Sequence, residues 1–227
     1  MVATIIAGPG TGAALRISAD GTVGGNADLP HDTLRGAALA ALRREASGTV
    51  TVELPGGAAS VFLEVFPRQP RLVIFGAAHV ALALVPFARR LGYHTIVADG
   101  RVGFLSRERL PEADELIQAW PEEAFERIGL DDTCYVCVLS HDPKFDEPAL
   151  RLALRSRAAY IGAIGSRKTQ AERRERLAAE GFTPDEIGRI HGPIGLDLGG
   201  RAPPETALAI LAEMTRVRYG VEGERRR

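Results

Sequence analysis

Apolar residues gather in short runs that alternate with amphipathic stretches over most of the chain after residue 70. The clearest case, at residues 71–101, has apolar runs at 71–75 and 93–98 on either side of a stretch with helical periodicity at 79–90. Gly76 stands at the turn before the helix, and Asp99 directly follows the second run. This order predicts a strand–helix–strand unit of the mononucleotide-binding type, whose helix N-terminus offers N–H groups to a phosphate.

The same alternation continues to the C-terminus. Further strands are predicted at 115–118, 134–139 and 159–164, and helices at 121–128, 147–156, 169–180 and 203–217, with a capped helix start at Thr183. Strands that alternate with helices indicate a parallel sheet covered on both faces. The predicted fold class is therefore α/β, with a Rossmann-like doubly wound parallel sheet.

The N-terminal part has a different pattern, rich in glycine, alanine and threonine. It predicts short strands at 4–7, 15–18, 49–54 and 60–66, a glycine-rich turn at 21–25, a helix at about 32–45, and a hairpin break at 55–57. Pro67-Arg68-Gln69-Pro70 has the composition of a linker. We expect a small α+β domain at 1–66, a linker at 67–70 and the Rossmann-like domain at 71–227.

The glycine turn departs from the usual dinucleotide fingerprint. The pattern G-x-G-x-x-G/A is replaced by Gly76-Ala77-Ala78-His79-Val80-Ala81. Ala78 places a methyl group where a second glycine normally lets the backbone approach a pyrophosphate. Asp99 favours a ribose 2′-hydroxyl, whereas Arg101 suits a 2′-phosphate. Two interpretations therefore stay open: the turn binds NAD(P), or it serves packing alone.

Ligands of doubly wound folds bind at the carboxyl ends of the strands, and four predicted strand ends carry glycine turns or polar residues. The candidate cofactor-binding residues are Gly76, Ala77, Ala78, His79, Asp99, Arg101, Ser140, His141, Asp142, Lys144, Gly165, Ser166, Arg167 and Lys168.

Two of these strand ends have competing interpretations. In the loop that begins at Ser140, His141 is the candidate for proton transfer, while Asp142 or Asp146 would explain the loop as a helix cap. At the second, Arg167 and Lys168 open a helix, where cations oppose the helix dipole. That mismatch favours an anion site for a phosphate over a solvated basic helix start.

Composition narrows the function classes. The chain has 227 residues, 45% of them hydrophobic, and a net charge of −1, which gives no general attraction to nucleic acid. Neither a membrane span nor a signal peptide is predicted, so a cytoplasmic location is expected. Cys134 and Cys137 lie three residues apart on a predicted strand, hence on opposite faces, which predicts buried structural thiols and no metal site.

At these positions the chain resembles the XdhC/CoxI family, accessory proteins of molybdenum hydroxylases. The matching stretches are RLVIFGAAHVA, SHDPKFDEPAL, YIGAIGSRKT, HGPIGLDLGG and PPETALAILAE. The resemblance implies a homodimeric accessory protein, without turnover of its own, that binds the molybdenum cofactor. It also implies sulfuration of the cofactor alongside a cysteine desulfurase, and delivery to an apo-hydroxylase of the xanthine dehydrogenase or CO dehydrogenase type.

The chain departs from the family after its N-terminal glycine turn, where many members carry a cysteine. The matching position here is Asn26, so a metal or sulfur held by that cysteine would not be held in the same way. Two alternatives to cofactor maturation remain. One is an NAD(P)-dependent oxidoreductase that uses Asp99 and His141, and the other is a non-catalytic scaffold for the target enzyme.

Overall fold

The computed structural model describes residues 1–18, 23–25 and 31–220. Asn26 and the C-terminal Glu-Arg-Arg-Arg lie outside the described residues. The chain divides into two compact units, one formed by Met1–Arg68 with the segment that begins at Arg218, the other by Gln69–Val217.

The first unit is an antiparallel sheet with one helix. Its strands are β1 (Val2–Ala7), β2 (Ala14–Ile17), β3 (Val23–Gly25), β4 (Gly48–Leu54) and β5 (Gly57–Glu64), in the order β3-β2-β1-β5-β4, and its helix is α1 (His31–Arg44). Leu54 pairs with Gly57, which confirms the predicted hairpin. The turn expected at 21–25 is wrong for its last three residues, because they pair with β2 as a strand.

The core of this unit follows from period-two alternation on its strands. Ile5, Leu15 and Val61 are buried on one face, where Leu34 and Ala38 of α1 pack against them. Because successive side chains of a strand point to opposite faces, the intervening positions are more exposed.

The second unit is a parallel sheet with helices between its strands. The strands are β6 (Arg71–Phe75), β7 (His94–Ala98), β8 (Glu115–Ile117), β9 (Cys134–Val138), β10 (Tyr160–Ala163) and β11 (Ile190–His191). The helices are α2 (His79–Arg90), α3 (Pro121–Ile128), α4 (Pro143–Arg155), α5 (Arg167–Ala179), α6 (Pro184–Gly188) and α7 (Pro203–Arg218). The strand order is β11-β10-β9-β6-β7-β8, with every pair parallel.

This order is that of a Rossmann-type sheet, in which two halves run outwards from the central pair β6 and β9. It confirms the predicted fold class, a doubly wound α/β domain beside a smaller α+β unit. Both faces of the sheet are covered: Val73 and Leu72, neighbours on β6, are fully buried in different clusters. Cys134 and Cys137 divide between the same two clusters, as their spacing predicted.

The start of α4 and the presence of β11 are the clearest differences from prediction in the second unit. Helix α4 begins at Pro143 instead of residue 147, because the Asp142 carboxylate caps it by accepting a hydrogen bond from the Lys144 N–H. The sequence pattern does not predict strand β11. It has two residues and pairs with β10 through Ile161 and Ile190, too short a run to give an alternating pattern.

None of the helices in the described part of the chain combines the length and the apolar character that a membrane crossing requires.

Candidate functional site

The crevice between β6 and β9, where the strand order reverses, is closed by direct packing. Gly76 has a φ of 108°, and a Cβ atom on it would lie 2.5 Å from the backbone nitrogen of Ser140. A side chain at this position would therefore collide with the loop that follows β9. The glycine of the fingerprint is required for this contact between two turns, whatever else the turn does.

The acid at the end of β7 is already engaged by the protein. Asp99 is fully buried, and its carboxylate accepts hydrogen bonds from the Ala77 N–H at 2.8 Å and from the N–H, Nε and Nη2 of Arg101 at 2.7–2.9 Å. Burial favours the neutral carboxyl, but the hydrogen bonds from Arg101 and Ala77 outweigh it and lower the pKa of Asp99. A ribose hydroxyl would have to displace these donors.

A cleft of about 890 Å³ opens in the second unit. Its lining residues come from the segments after β9, β10 and β11, within 141–147, 164–176 and 193–201, and from Thr206 and Ala209 of α7. Its volume lies within the range of about 300–1,000 Å³ that is usual for small-molecule sites. The cleft belongs to the second half of the sheet, and the residues of the β6 turn are not part of its lining.

Four of the predicted binding residues line this cleft: His141, Gly165, Ser166 and Arg167. Ten others, among the residues that the structure describes, are not part of its lining: Gly76, Ala77, Ala78, His79, Asp99, Arg101, Ser140, Asp142, Lys144 and Lys168. The structure thus brings four of the predicted binding residues together at the cleft and leaves the other ten outside its lining.

Several of the excluded residues have structural contacts of their own. The Lys144 ammonium lies 4.8 Å from the centre of the Trp120 ring, a cation–π distance. Lys168 is 87% exposed and lies 3.8 Å from the carboxylate of Glu172, one helical turn along α5. His79 is the exposed first residue of α2.

The turn between β10 and α5 presents backbone donors to the cleft. Ser166 caps the helix by accepting a hydrogen bond from the Thr169 N–H, and Gly165 has a φ of 134°, which side chains rarely adopt. Within the described chain, the N–H groups of Arg167 and Lys168 have no acceptor, as expected of the first turn of a helix. This end of α5 is therefore suited to an anion.

His141 also lines the cleft and has an unusual backbone. It is a non-glycine residue with a φ of 63°, a conformation that concentrates at functional sites because the surrounding structure must hold it there. Its side chain is exposed and lines the cleft. A role in proton transfer stays a prediction.

A buried polar cluster that sequence reasoning missed lies beside these loops. The Ser140 hydroxyl donates to Asp146, and Asp146 Oδ2 lies 3.6 Å from Nη2 of Arg173. Both charged side chains are at least 95% buried, and both line the cleft. Burial raises the pKa of Asp146, although Ser140 and Arg173 partly oppose the shift. Gln170, Arg173 and Leu177 share one buried face of α5. Their helical spacing, which aligns two polar residues with a leucine, is the signal in the sequence that could have indicated this cluster.

The Glu213 carboxylate helps to hold the segment 193–201, in addition to backbone hydrogen bonds from Ile194 to Ala163 and from Leu196 to Ala209. Glu213 accepts hydrogen bonds from the Gly195 N–H at 3.0 Å and from the Tyr160 hydroxyl at 2.6 Å, and His191 Nδ1 lies 3.5 Å away. Gly195 also approaches α7 closely, since a Cβ atom on it would lie 3.0 Å from the Ile210 nitrogen. Gly195 therefore allows the backbone of this segment to approach α7.

The sequence of the second unit matches a known protein family. The family model for the XdhC Rossmann domain matches residues 72–214. A chain from Bacillus halodurans described as a xanthine dehydrogenase has a similar structure, with a TM-score of 0.61, 21% identity, and coverage of 97% of this chain and 92% of the other. At that identity the likeness concerns the fold alone.

Three curated relatives match at the sequence level. Escherichia coli YqeB, named as an uncharacterized protein, is 31% identical over 74% of this chain. A probable xanthine dehydrogenase subunit of Bacillus subtilis is 28% identical over 71%, and the molybdenum cofactor insertion chaperone PaoD of E. coli is 28% identical over 67%. The matches span 31%, 47% and 41% of the lengths of these relatives, respectively.

Proposed function

Because this chain belongs to the XdhC family, we propose that it is a maturation factor that binds the molybdenum cofactor and hands it to a molybdenum hydroxylase. In this proposal the protein shields the cofactor, supports its sulfuration and delivers it to an apo-enzyme of the xanthine dehydrogenase or CO dehydrogenase type. The observation that carries the proposal is the cleft beside the N-terminus of α5.

The cleft has the chemistry that an anionic pterin needs. Arg167 and the N–H groups at the start of α5 supply positive charge and hydrogen-bond donors. Ile164, Ile194 and Leu196 supply apolar wall, against which a flat ring can pack. The residues therefore fit such a cargo, and binding, orientation and exclusion of water require no turnover by the protein.

The names of two relatives support the proposal from another direction. One is called a molybdenum cofactor insertion chaperone and another a probable subunit of xanthine dehydrogenase. Because each match spans less than half of the relative, the identity of the hydroxylase, help from a cysteine desulfurase and homodimer formation are all proposals for this chain.

The alternative of an NAD(P)-dependent oxidoreductase finds less support. Its ribose acid, Asp99, is fully buried and already accepts four hydrogen bonds. Its proton relay, His141, lies on the cleft, which the β6 turn does not line. The alternative of a scaffold without a ligand leaves the cleft unexplained.

The test is to load the purified full chain with molybdenum cofactor in the absence of oxygen, and to separate bound from unbound cofactor by gel filtration. We expect molybdenum and pterin fluorescence to co-elute with the protein in a fixed ratio. Titration with NADH and NADPH, followed by Trp120 fluorescence, should give no saturable change. Loss of the cofactor from protein with an intact circular dichroism spectrum would reject the proposal.

A further inference from the structure

Arg173 is a buried guanidinium whose donors are only partly satisfied by the protein. It is 95% buried, and its Nη1 donates to the Gln170 side-chain oxygen at 2.7 Å and to the Ile164 carbonyl at 3.3 Å. Nη2 faces Asp146 at 3.6 Å. Nε is buried and has no hydrogen-bond partner among the described residues. Buried donors in folded proteins are nearly always paired, so this one calls for an acceptor.

The neighbours of Arg173 hold the guanidinium in place without neutralising it fully. Gln170 is 96% buried and is itself fixed, since its side-chain nitrogen donates to the Ala163 carbonyl at 2.9 Å. Asp146 divides its carboxylate between Ser140 and Arg173. At 3.6 Å, Asp146 and Arg173 are beyond the usual hydrogen-bond distance, so an acceptor of higher charge would compete effectively for the guanidinium.

The second observation is independent of the first. The same cleft contains the N-terminal turn of α5, a helix of 13 residues, whose N–H groups at Arg167 and Lys168 have no acceptor in the described chain. Gly165 keeps side-chain atoms away from this turn, and the exposed Arg167 lines the cleft beside it. Helix N–H groups and a guanidinium are two kinds of donor that occur together at phosphate sites.

We propose that Arg173 and the N-terminal turn of α5 form a subsite for a phosphomonoester group. A phosphate has enough acceptor oxygens to serve the helix N–H groups and the guanidinium together. The subsite rests on the proposed function only for the identity of the molecule that carries the phosphate. A phosphorylated pterin and a nucleotide share this chemistry.

The experiment measures binding of inorganic phosphate and of cytidine monophosphate to the full chain by isothermal titration calorimetry and phosphorus NMR. We expect both to bind the wild-type protein in the range of about 1–10 mM. Arg167→Gln should weaken binding roughly tenfold, as expected when a charged contact is lost. Arg174→Gln is the matched control, because Arg174 is an exposed cation of the same helix that does not line the cleft, and it should leave the affinity unchanged.

Replacing Arg173 alone would leave Asp146 buried without its partner and could unfold the protein. The double variant Arg173→Met with Asp146→Asn removes both charges, and we expect it to fold and to lose phosphate binding by at least roughly tenfold. A folded double variant that binds phosphate like the wild type, or a wild type that binds neither probe, would overturn the subsite.

The same variants separate this inference from the proposed function. If phosphate binding depends on Arg173 while molybdenum cofactor is not retained, the subsite stands and the maturation role falls. If the double variant retains the cofactor as tightly as the wild type, the subsite falls and the maturation role stands.

Discussion

Asp99 and Arg101 form a bidentate ion pair, in which Nε and Nη2 of the guanidinium lie 2.9 and 2.7 Å from the two carboxylate oxygens. The carboxylate also accepts the Ala77 N–H from the turn after β6. The pair therefore connects two neighbouring strand ends where other Rossmann domains place a nucleotide. The acid that sequence analysis considered for a ribose hydroxyl thus already accepts hydrogen bonds from the protein.

The first prediction concerns this ion pair and stability. Asp99→Asn should lower the free energy of unfolding by about 2 kcal/mol, because the Ala77 N–H loses a charged acceptor and Arg101 is left unpaired. Urea unfolding followed by circular dichroism measures the change. Glu108→Gln, an exposed acid further along the same segment, is the control and should change stability by less than about 0.5 kcal/mol.

The pH dependence of the same pair has a definite sign. The pKa of Asp99 is lowered in the folded state, so its stabilising contribution is present above the ordinary aspartate pKa of about 3.9 and is lost as the pH falls towards the folded value. The difference in unfolding free energy between wild type and Asp99→Asn should be constant from about pH 5 to 8 and shrink below about pH 4. A difference that grows in acid would contradict this description.

The two cysteines should be inert in the folded protein. Cys134 and Cys137 are fully buried, and burial raises the pKa of both thiols, so that neither is a thiolate near neutral pH. An aromatic disulfide reagent at about pH 8 should label both thiols in urea and label the native protein only at its slow opening rate. Rapid labelling of either thiol in native protein would show that it is accessible and reactive.

Glu213 should protect the backbone of residues 193–200, which form part of the cleft wall, from local opening. Glu213→Gln weakens the acceptor for the Gly195 N–H, so hydrogen exchange should accelerate within residues 193–200. Arg216→Gln, an exposed change on the same helix, should leave exchange there as it is. Equal exchange in both variants would mean that the segment is held by its packing on α7.

The fold class could be predicted from the sequence because the patterns that indicate its strands and helices are local. The strand at Arg71–Phe75 and the helix at His79–Arg90 have the bounds that their apolar periods predict. Opposite-face burial of Cys134 and Cys137 follows from a strand period of two. The start of α4 was misplaced because Asp142 and Asp146 both suit a cap, and only the backbone geometry decides between them.

The site was harder to predict because it depends on contacts between distant segments. Arg167 and Lys168 are adjacent cations, yet one lines the cleft and the other points to Glu172. Arg173 was overlooked because its charge suggested a solvated helix face, whereas Asp146, 27 positions earlier, compensates its burial. Sequence spacing indicates at which strand end a residue lies, but it does not indicate which residues of other segments that residue contacts.

In the function proposed for this protein, cargo binds in the cleft and not at the turn after β6. The decisive quantity is the dissociation constant of molybdenum cofactor for the wild type, for Arg167→Gln on the cleft and for His79→Ala at the turn. We expect an affinity roughly tenfold weaker for Arg167→Gln and unchanged for His79→Ala. An unchanged affinity in Arg167→Gln together with a weakened one in His79→Ala would place the cargo at the turn instead.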